Sequence, residues 1–266
     1  MSETQEAAPQ LSGNMFLFER PELLTKEQHG NLGVTPPEKP FAFCSKVRAI
    51  PLTVSEIPSA MKDYPIVFAS QEEPLPLAIV GLVDDVNLFV DEEGKWQDMA
   101  YIPGYIRRYP FALANETGGD RLATVIDAAH PGISEGGDVK LFDESGEASE
   151  STKQVIDFCR EYEQDRRLTE QMMKQLKDLD IVQGQTAHYT PTGETEPKVF
   201  AQYFGVDEQR LKDLSDDKYL ELRMTGLVGI IYAQLMSLTN WRLMMQRRMN
   251  RYGLNEDKVL EPLKLS

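Results

Sequence analysis

The sequence is poor in cysteine and histidine. Its two cysteines, Cys44 and Cys159, belong to no Cys-x-x-Cys pair and have no histidine close by. That argues against a zinc site and against a disulfide framework. Two small buried thiols in a reducing compartment are the simpler expectation. The three histidines, His29, His130 and His188, are widely separated, so any catalytic pairing has to be supplied by the fold. A Gly-x-Ser-x-Gly elbow, a Gly-x-Gly-x-x-Gly turn, a Walker loop and a His-Glu-x-x-His pair are all missing. The common hydrolase, nucleotide-binding and metalloprotease chemistries therefore have no signature here. Neither a metal nor a cofactor is expected.

Basic residues near the N-terminus and long apolar runs are scarce as well. Met1 to Pro9 holds no Lys or Arg, and the run from Met15 to Phe18 is too short for the apolar core of a secretion signal. The longest apolar stretch, Leu227 to Leu238, falls short of the about 20 residues that a bilayer span needs. A cytoplasmic protein without a membrane span is expected. The formal charge of −15 repels phosphate backbones and anionic headgroups, so nucleic acid is not an expected partner. The acidic clusters at Asp84-Asp85, Asp91-Glu92-Glu93 and Asp213 to Asp217 lack calcium-loop spacing and read as solvated turns.

What is present points to a soluble α+β protein. Met1 to Gly13 has the composition of a disordered tail, and residues 14–40 form a Pro- and Gly-punctuated arm in which Phe16 and Phe18 serve as anchors. Strands are expected at Phe41 to Ile50, Ile66 to Phe68, Leu77 to Val83, Asn87 to Val90 (as the hairpin partner of the preceding run), Phe111 to Asn115, Leu122 to Asp127, Val139 to Phe142 and Lys198 to Phe204. Ser151-Thr-Lys-Gln154 matches a capping box. It opens a long amphipathic helix whose apolar stripe slips in phase near Gln164 to Arg167. Asp207 and Ser215 cap short helices, and Leu227 to Arg251 is the last helix. The expected fold class is a mixed or antiparallel sheet in the N-terminal and central region, packed with C-terminal helices. The expected division is one domain over residues 41–252 and a C-terminal tail over 253–266.

The most unusual stretch is Tyr101-Ile-Pro-Gly-Tyr-Ile-Arg-Arg-Tyr-Pro-Phe111. Arginine pairs bidentately with carboxylate or phosphate, and tyrosine offers a stacking face. Tyr101, Tyr105, Arg107, Arg108 and Tyr109 are thus candidates for an anion- or peptide-binding ledge. The alternative is a structural corner whose arginines meet surface carboxylates. Asn87 and Trp96 lie just before the ledge, and Tyr232 and Gln234 on the last helix complete the candidate set. For each of these, buried packing is the plainer role. His130, ahead of Pro131-Gly132, occupies a plausible site position.

Several of these segments resemble the SapC family of bacterial proteins. The landmarks are Tyr64-Pro-Ile-Val-Phe68, Asn87-Leu-Phe-Val-Asp91, Gly94-x-Trp96, the whole Tyr101–Phe111 stretch, Leu220-Glu-Leu-Arg223, Gly226 and Tyr232-Ala-Gln-Leu-x-Ser-Leu238. They spread from Phe41 to Arg248. The resemblance implies an association with bacterial surface-layer or outer-membrane systems, and it carries no catalytic residues across. The expected function is a non-catalytic factor that binds a protein or peptide partner through Arg107, Arg108 and the neighbouring tyrosines. The alternatives are an enzyme of unfamiliar motif acting on a small molecule or peptide, and a surface-layer component.

Overall fold

A computed structural model describes residues 15–115 and 122–263. The expected tail, Met1 to Gly13, lies outside the described residues. The elements of the first half are β1 (Pro21–Leu23), α1 (Lys26–His29), β2 (Leu32–Val34), β3 (Ala49–Pro51), α2 (Ile57–Ala60), β4 (Ile66–Phe68), β5 (Pro76–Ile79), α3 (Gly104–Arg107), β6 (Phe111–Asn115) and β7 (Leu122–Asp127). They are followed by β8 (Ile133–Glu135), β9 (Val139–Lys140), α4 (Glu150–Asp178), β10 (Val182–Tyr189), β11 (Lys198–Val206), α5 (Glu208–Lys212), α6 (Asp216–Thr225), α7 (Leu227–Ser237) and α8 (Asn240–Tyr252). The fold is α+β, with three antiparallel sheets and a helical C-terminal region. The chain divides into two compact units, residues 1–40 with 108–163 and residues 41–107 with 164–266.

The first unit holds two three-stranded sheets, ordered β1-β7-β6 and β8-β2-β9. The arm is therefore more ordered than its breakers suggest. Pro21–Leu23 pairs with Val125–Asp127, and Leu32–Val34 pairs with both β8 and β9. Strands of three residues are too short to show alternation, and their partners are distant in sequence. Glycine makes the second sheet possible, because a Cβ on Gly33 would lie 2.5 Å from the Gly137 carbonyl oxygen. Phe111, Ile126, Leu141 and Cys159 form one core of this unit, and Phe18, Ala112 and Val125 form another. Phe18 thus acts as the anchor its sequence position suggests.

The second unit is built on a five-stranded sheet ordered β10-β11-β4-β5-β3. Phe68, Val182 and Val206 meet Met173 and Leu176 of α4 and Leu211, Leu222, Leu227 and Ile231 of α5–α7 in its main core. Val67 and Ala187 pack with Trp241 of α8 in a second cluster. Several sequence expectations need correction here. Phe41 to Ile50 is a 3-10 turn at Ala42–Cys44 followed by the short β3. The strand from Leu77 ends at Ile79, since Val80 N and Gly81 N both turn to the Arg48 carbonyl. Asn87 to Val90 is not a strand, because the Asn87 side chain accepts from Phe89 N at 2.9 Å and curls the backbone. β8 and β10 had no expected counterpart. The last helix breaks at Leu238–Thr239 into α7 and α8.

α4 is one continuous helix, and its phase slip has a cause. Cys159 and Tyr162 are buried in the first unit, whereas Met173 and Leu176 are buried in the second. Each half needs its own apolar stripe. The helix starts earlier than its capping box implies, with Ser149 Oγ accepting from Thr152 N at 3.2 Å. No single described helix is long and apolar enough to cross a membrane.

Candidate functional site

The boundary between the units falls between Arg107 and Arg108, so the ledge residues occupy two settings. In the second unit, Pro103 and Gly104 open the short helix α3. Gly104 N donates to Glu56 Oε1, as does the Tyr101 hydroxyl at 3.0 Å. Glu56 is itself buried, and its other oxygen accepts from Thr53 N at 2.9 Å and Thr53 Oγ1 at 3.0 Å. Four donors saturate this carboxylate and hold it as a structural knot. Tyr101 N donates to Asp63 at 2.9 Å, and the Tyr101 carbonyl accepts from the Tyr64 hydroxyl. Burial, followed by the adjacent Glu56 charge, pushes the Tyr101 phenol up to about 12. Arg107 is exposed, donating from Nε to the Ile102 carbonyl at 3.0 Å and from Nη2 to the Tyr101 hydroxyl at 3.3 Å. Tyr105 is half-buried beside it in α3.

Arg108, in the first unit, is buried, with its guanidinium carbon 4.7 Å from the Tyr162 ring centroid. Tyr109 donates to Asp127 Oδ2 at 2.8 Å and meets Phe18 edge-on at 5.4 Å and His130 at 5.3 Å. Asp127 also accepts from Glu19 N, Arg20 N and Ala129 N. Burial acts to raise its pKa, but these donors outweigh it and hold the carboxyl below the usual range. His130 Nδ1 accepts from Gly132 N at 3.1 Å, and burial lowers its pKa against the pull of Asp127.

The remaining candidates separate by burial. Asn87 is fully buried and ties Cys44 O to Phe89 N. Trp96 is buried against Phe41 and Phe89. Tyr232 is 43% exposed on α7. Gln234 is fully buried and acts as a wedge in the sheet. β11 and β4 share only the pair Phe204↔Phe68. Beyond it, Gln234 Oε1 accepts from Val206 N at 3.3 Å while Nε2 donates to Ile66 O at 3.0 Å. A side-chain amide thus stands in for the missing backbone pairing. Gly205 leaves room for it, since a Cβ there would lie 3.3 Å from Gln234 Nε2. Ser237 Oγ accepts from Ile66 N at 2.9 Å, and Asn240 Nδ2 donates to Met61 O and Tyr64 O. Three polar residues at helical spacing therefore suture β4 and the segment before it to the C-terminal helices.

Burial pushes the Cys44 thiol up to about 12 and Cys159 up to about 11, which leaves both poor nucleophiles. Among the described residues, no group of three or more His, Cys, Asp or Glu side chains could hold a metal ion.

The concave surface that sequence reasoning missed lies along the β10–β11 hairpin. Two cavities, of about 650 and 660 Å³, share the walls Phe200, Tyr203 and Trp241. The first runs beneath the hairpin towards β4 and β5, with Gln185, Thr186 and Arg48 on its rim. The second lies between the hairpin tip and α8, with His188, Arg242 and Met245 on its walls. Their shared wall depends on a bulge. Ala187 faces Ala201 and His188 faces Val199, so Phe200 is the extra residue. It stands 5.5 Å from the Trp241 ring, with Tyr203 at 5.8 Å. Trp241 Nε1 is buried and has no hydrogen-bond partner among the described residues. The only sequence cue was a cluster of aromatics at 200, 203 and 204, and no local pattern linked it to residue 241.

A family model described as SapC matches residues 24–244 of the chain. No curated protein and no solved structure matches it.

Proposed function

We propose that this chain, which belongs to the SapC family, is a non-catalytic binding protein that takes an extended polypeptide segment along the β10–β11 hairpin. It serves as an accessory factor to bacterial cell-surface or outer-membrane systems. The observation that carries this proposal is the pair of cavities meeting at Trp241. Each falls within the roughly 300–1,000 Å³ typical of ligand sites, and two in succession suit alternate side chains of an extended peptide, which point to the same side. The shared aromatic wall is flanked by polar groups, Arg48 and Gln185 in the first cavity and His188, Arg242 and Glu256 in the second, a mixture that suits a binding surface. Groups with chemistry to offer are committed elsewhere, as with the saturated Glu56 and Asp127 and the two suppressed thiols.

The test is selection of displayed random peptides on the purified chain, followed by calorimetric titration of those enriched. Peptides with apolar or aromatic side chains should be enriched. Their affinity should fall at least about tenfold, or about 1.4 kcal/mol, in Phe200→Ala. Leu243→Ala, on the exposed side of α8, should bind as wild type. Enrichment no greater than on an unrelated acidic protein would sink the proposal.

A further inference from the structure

The two cavities that meet at Trp241 differ in chemistry. The first is walled by Val67, Phe68, Ile79 and Leu82, and its one charged residue, Arg48, is paired with Asp85 at 3.3 Å. The second adds Thr192, Thr239 and Gln246 to the shared aromatic wall, and it carries Arg242 and Glu256. Asp and Glu make up 43 of the 266 residues, yet Glu256 is the one acid that lines either cavity. Its carboxylate is taken up by the hairpin tip, with Oε2 accepting from Thr192 N at 2.7 Å and Oε1 from Thr192 Oγ1 at 3.2 Å. Those bonds are the leading cause of its lowered pKa, and the charge of Arg242 is the least of the causes. Among the described residues, Arg223 and Arg242 are the two arginines whose guanidinium has no hydrogen bond, ion pair or ring contact. Arg223 stands in solvent on α6, whereas Arg242 lines a cavity.

Building on the peptide reading above, we infer that the bound segment is acidic: an Asp or Glu side chain enters the second cavity and pairs with Arg242, while an apolar side chain two residues away fills the first. A guanidinium meets a carboxylate through two parallel N–H···O bonds, and such a pair strengthens where bulk water is excluded. Alternate side chains of an extended segment point to one side, about 7 Å apart, so adjacent cavities receive residues two apart. An ammonium in place of the carboxylate would meet Arg242 as a like charge, and an amide would forgo the charge-assisted pair. The net charge of −15 opposes one or two ligand carboxylates far less than it opposes another −15 body, and physiological salt screens it beyond about 8 Å. Inside the second cavity the guanidinium still open to pair is that of Arg242.

Displayed peptides selected on the purified chain supply the probes, and calorimetric titration at about 0.15 M salt reads them. Selected sequences should carry Asp or Glu two residues from an apolar or aromatic one. Changing that acid to its amide in the synthetic peptide should weaken binding to the wild-type chain at least about tenfold. Arg242→Gln should weaken the acidic peptide by a similar factor and leave the amide peptide unchanged, a coupling that an arginine serving only as packing would not give. Arg223→Gln, which alters the other open guanidinium, should bind as wild type. Acidic and amide peptides of equal affinity would overturn the inference while peptide binding itself stands. So would equal losses of both peptides in Arg242→Gln. Should that variant melt early, the two peptides compared on the wild-type chain decide alone. A selection that enriches no peptide removes the binding reading, and the acidic ligand with it.

Discussion

Arg248 Nη1 donates to Asp84 Oδ2 at 2.5 Å, with the two side chains 1% and 12% exposed. The same arginine donates to Val259 O and Glu261 O at 2.7 Å, and Asp84 Oδ1 accepts from Leu263 N at 3.0 Å. One ion pair thus fastens the segment after α8, which the sequence suggests is a tail. Its donors and acceptors are satisfied as a set, and removing either partner strands a buried charge.

Asp84→Ala should cost about 3–5 kcal/mol in urea denaturation, since it leaves the Arg248 guanidinium buried without its counter-charge. The charge-reducing Asp84→Asn keeps an acceptor and should cost less. Equal losses for the two variants would mean that the ion pair is not the source of the stability.

Gln234→Leu conserves much of the side-chain bulk but removes the amide between Val206 N and Ile66 O. Two buried backbone groups lose their partners, at about 1–3 kcal/mol each. Amide hydrogen exchange should speed up at Val206 ahead of its neighbours on β11. Unchanged exchange there would count against the wedge.

Arg107→Ala and Arg108→Ala should behave differently despite their adjacency. Arg107 is exposed, so its loss should stay within about 0.5 kcal/mol. Arg108 is buried over Tyr162, and losing a desolvated cation–π contact of about 2 kcal/mol, together with its packing, should lower the melting temperature clearly. Equal melts for the two variants would refute the assignment.

The first unit should lose stability in acid in two stages. The folded pKa of His130 lies below its ordinary value, so the unfolded chain binds the proton first, and stability falls as pH drops below about 6.5. The folded pKa of Asp127 is also depressed. Its contribution is present in full above the ordinary aspartate value, near pH 4, and is lost as pH falls below it. His130→Gln should flatten the stability profile between about pH 5 and 7 while leaving the stage below it. A profile unchanged by the substitution would contradict the first stage.

Both thiols should resist a disulfide reagent at mildly alkaline pH in the native state and react fully in denaturant, because burial holds them well above the ordinary thiol range. Rapid native labelling of either cysteine would show that its pocket opens.

Legibility in the sequence follows the range of the forces involved. β4, β6 and β7 match their expected limits, because each carries a local run of apolar or β-branched residues. The Asp207 cap is equally local, and its carboxylate accepts from Gln209 N and Arg210 N as expected. Ser215 takes the next cap position without a side-chain bond. The arm strands β1 and β2 were illegible because three residues show no period and their partners lie far along the chain. Of the candidate site, the unusual composition of Tyr101–Phe111 was plain, but not that Glu56, from another segment, consumes the Tyr101 hydroxyl. The groove at Trp241 was not visible at all, since a bulge and an inter-element ring contact create it.

The sequence by itself determined the α+β class, the acidic surface, the absence of common catalytic signatures and the family, because composition and short-range patterns encode them. Only the tertiary structure decided which polar residues are buried sutures, which arginine faces solvent, and where the concave surface lies. Those outcomes depend on which distant segments desolvate one another, and no local period carries that information.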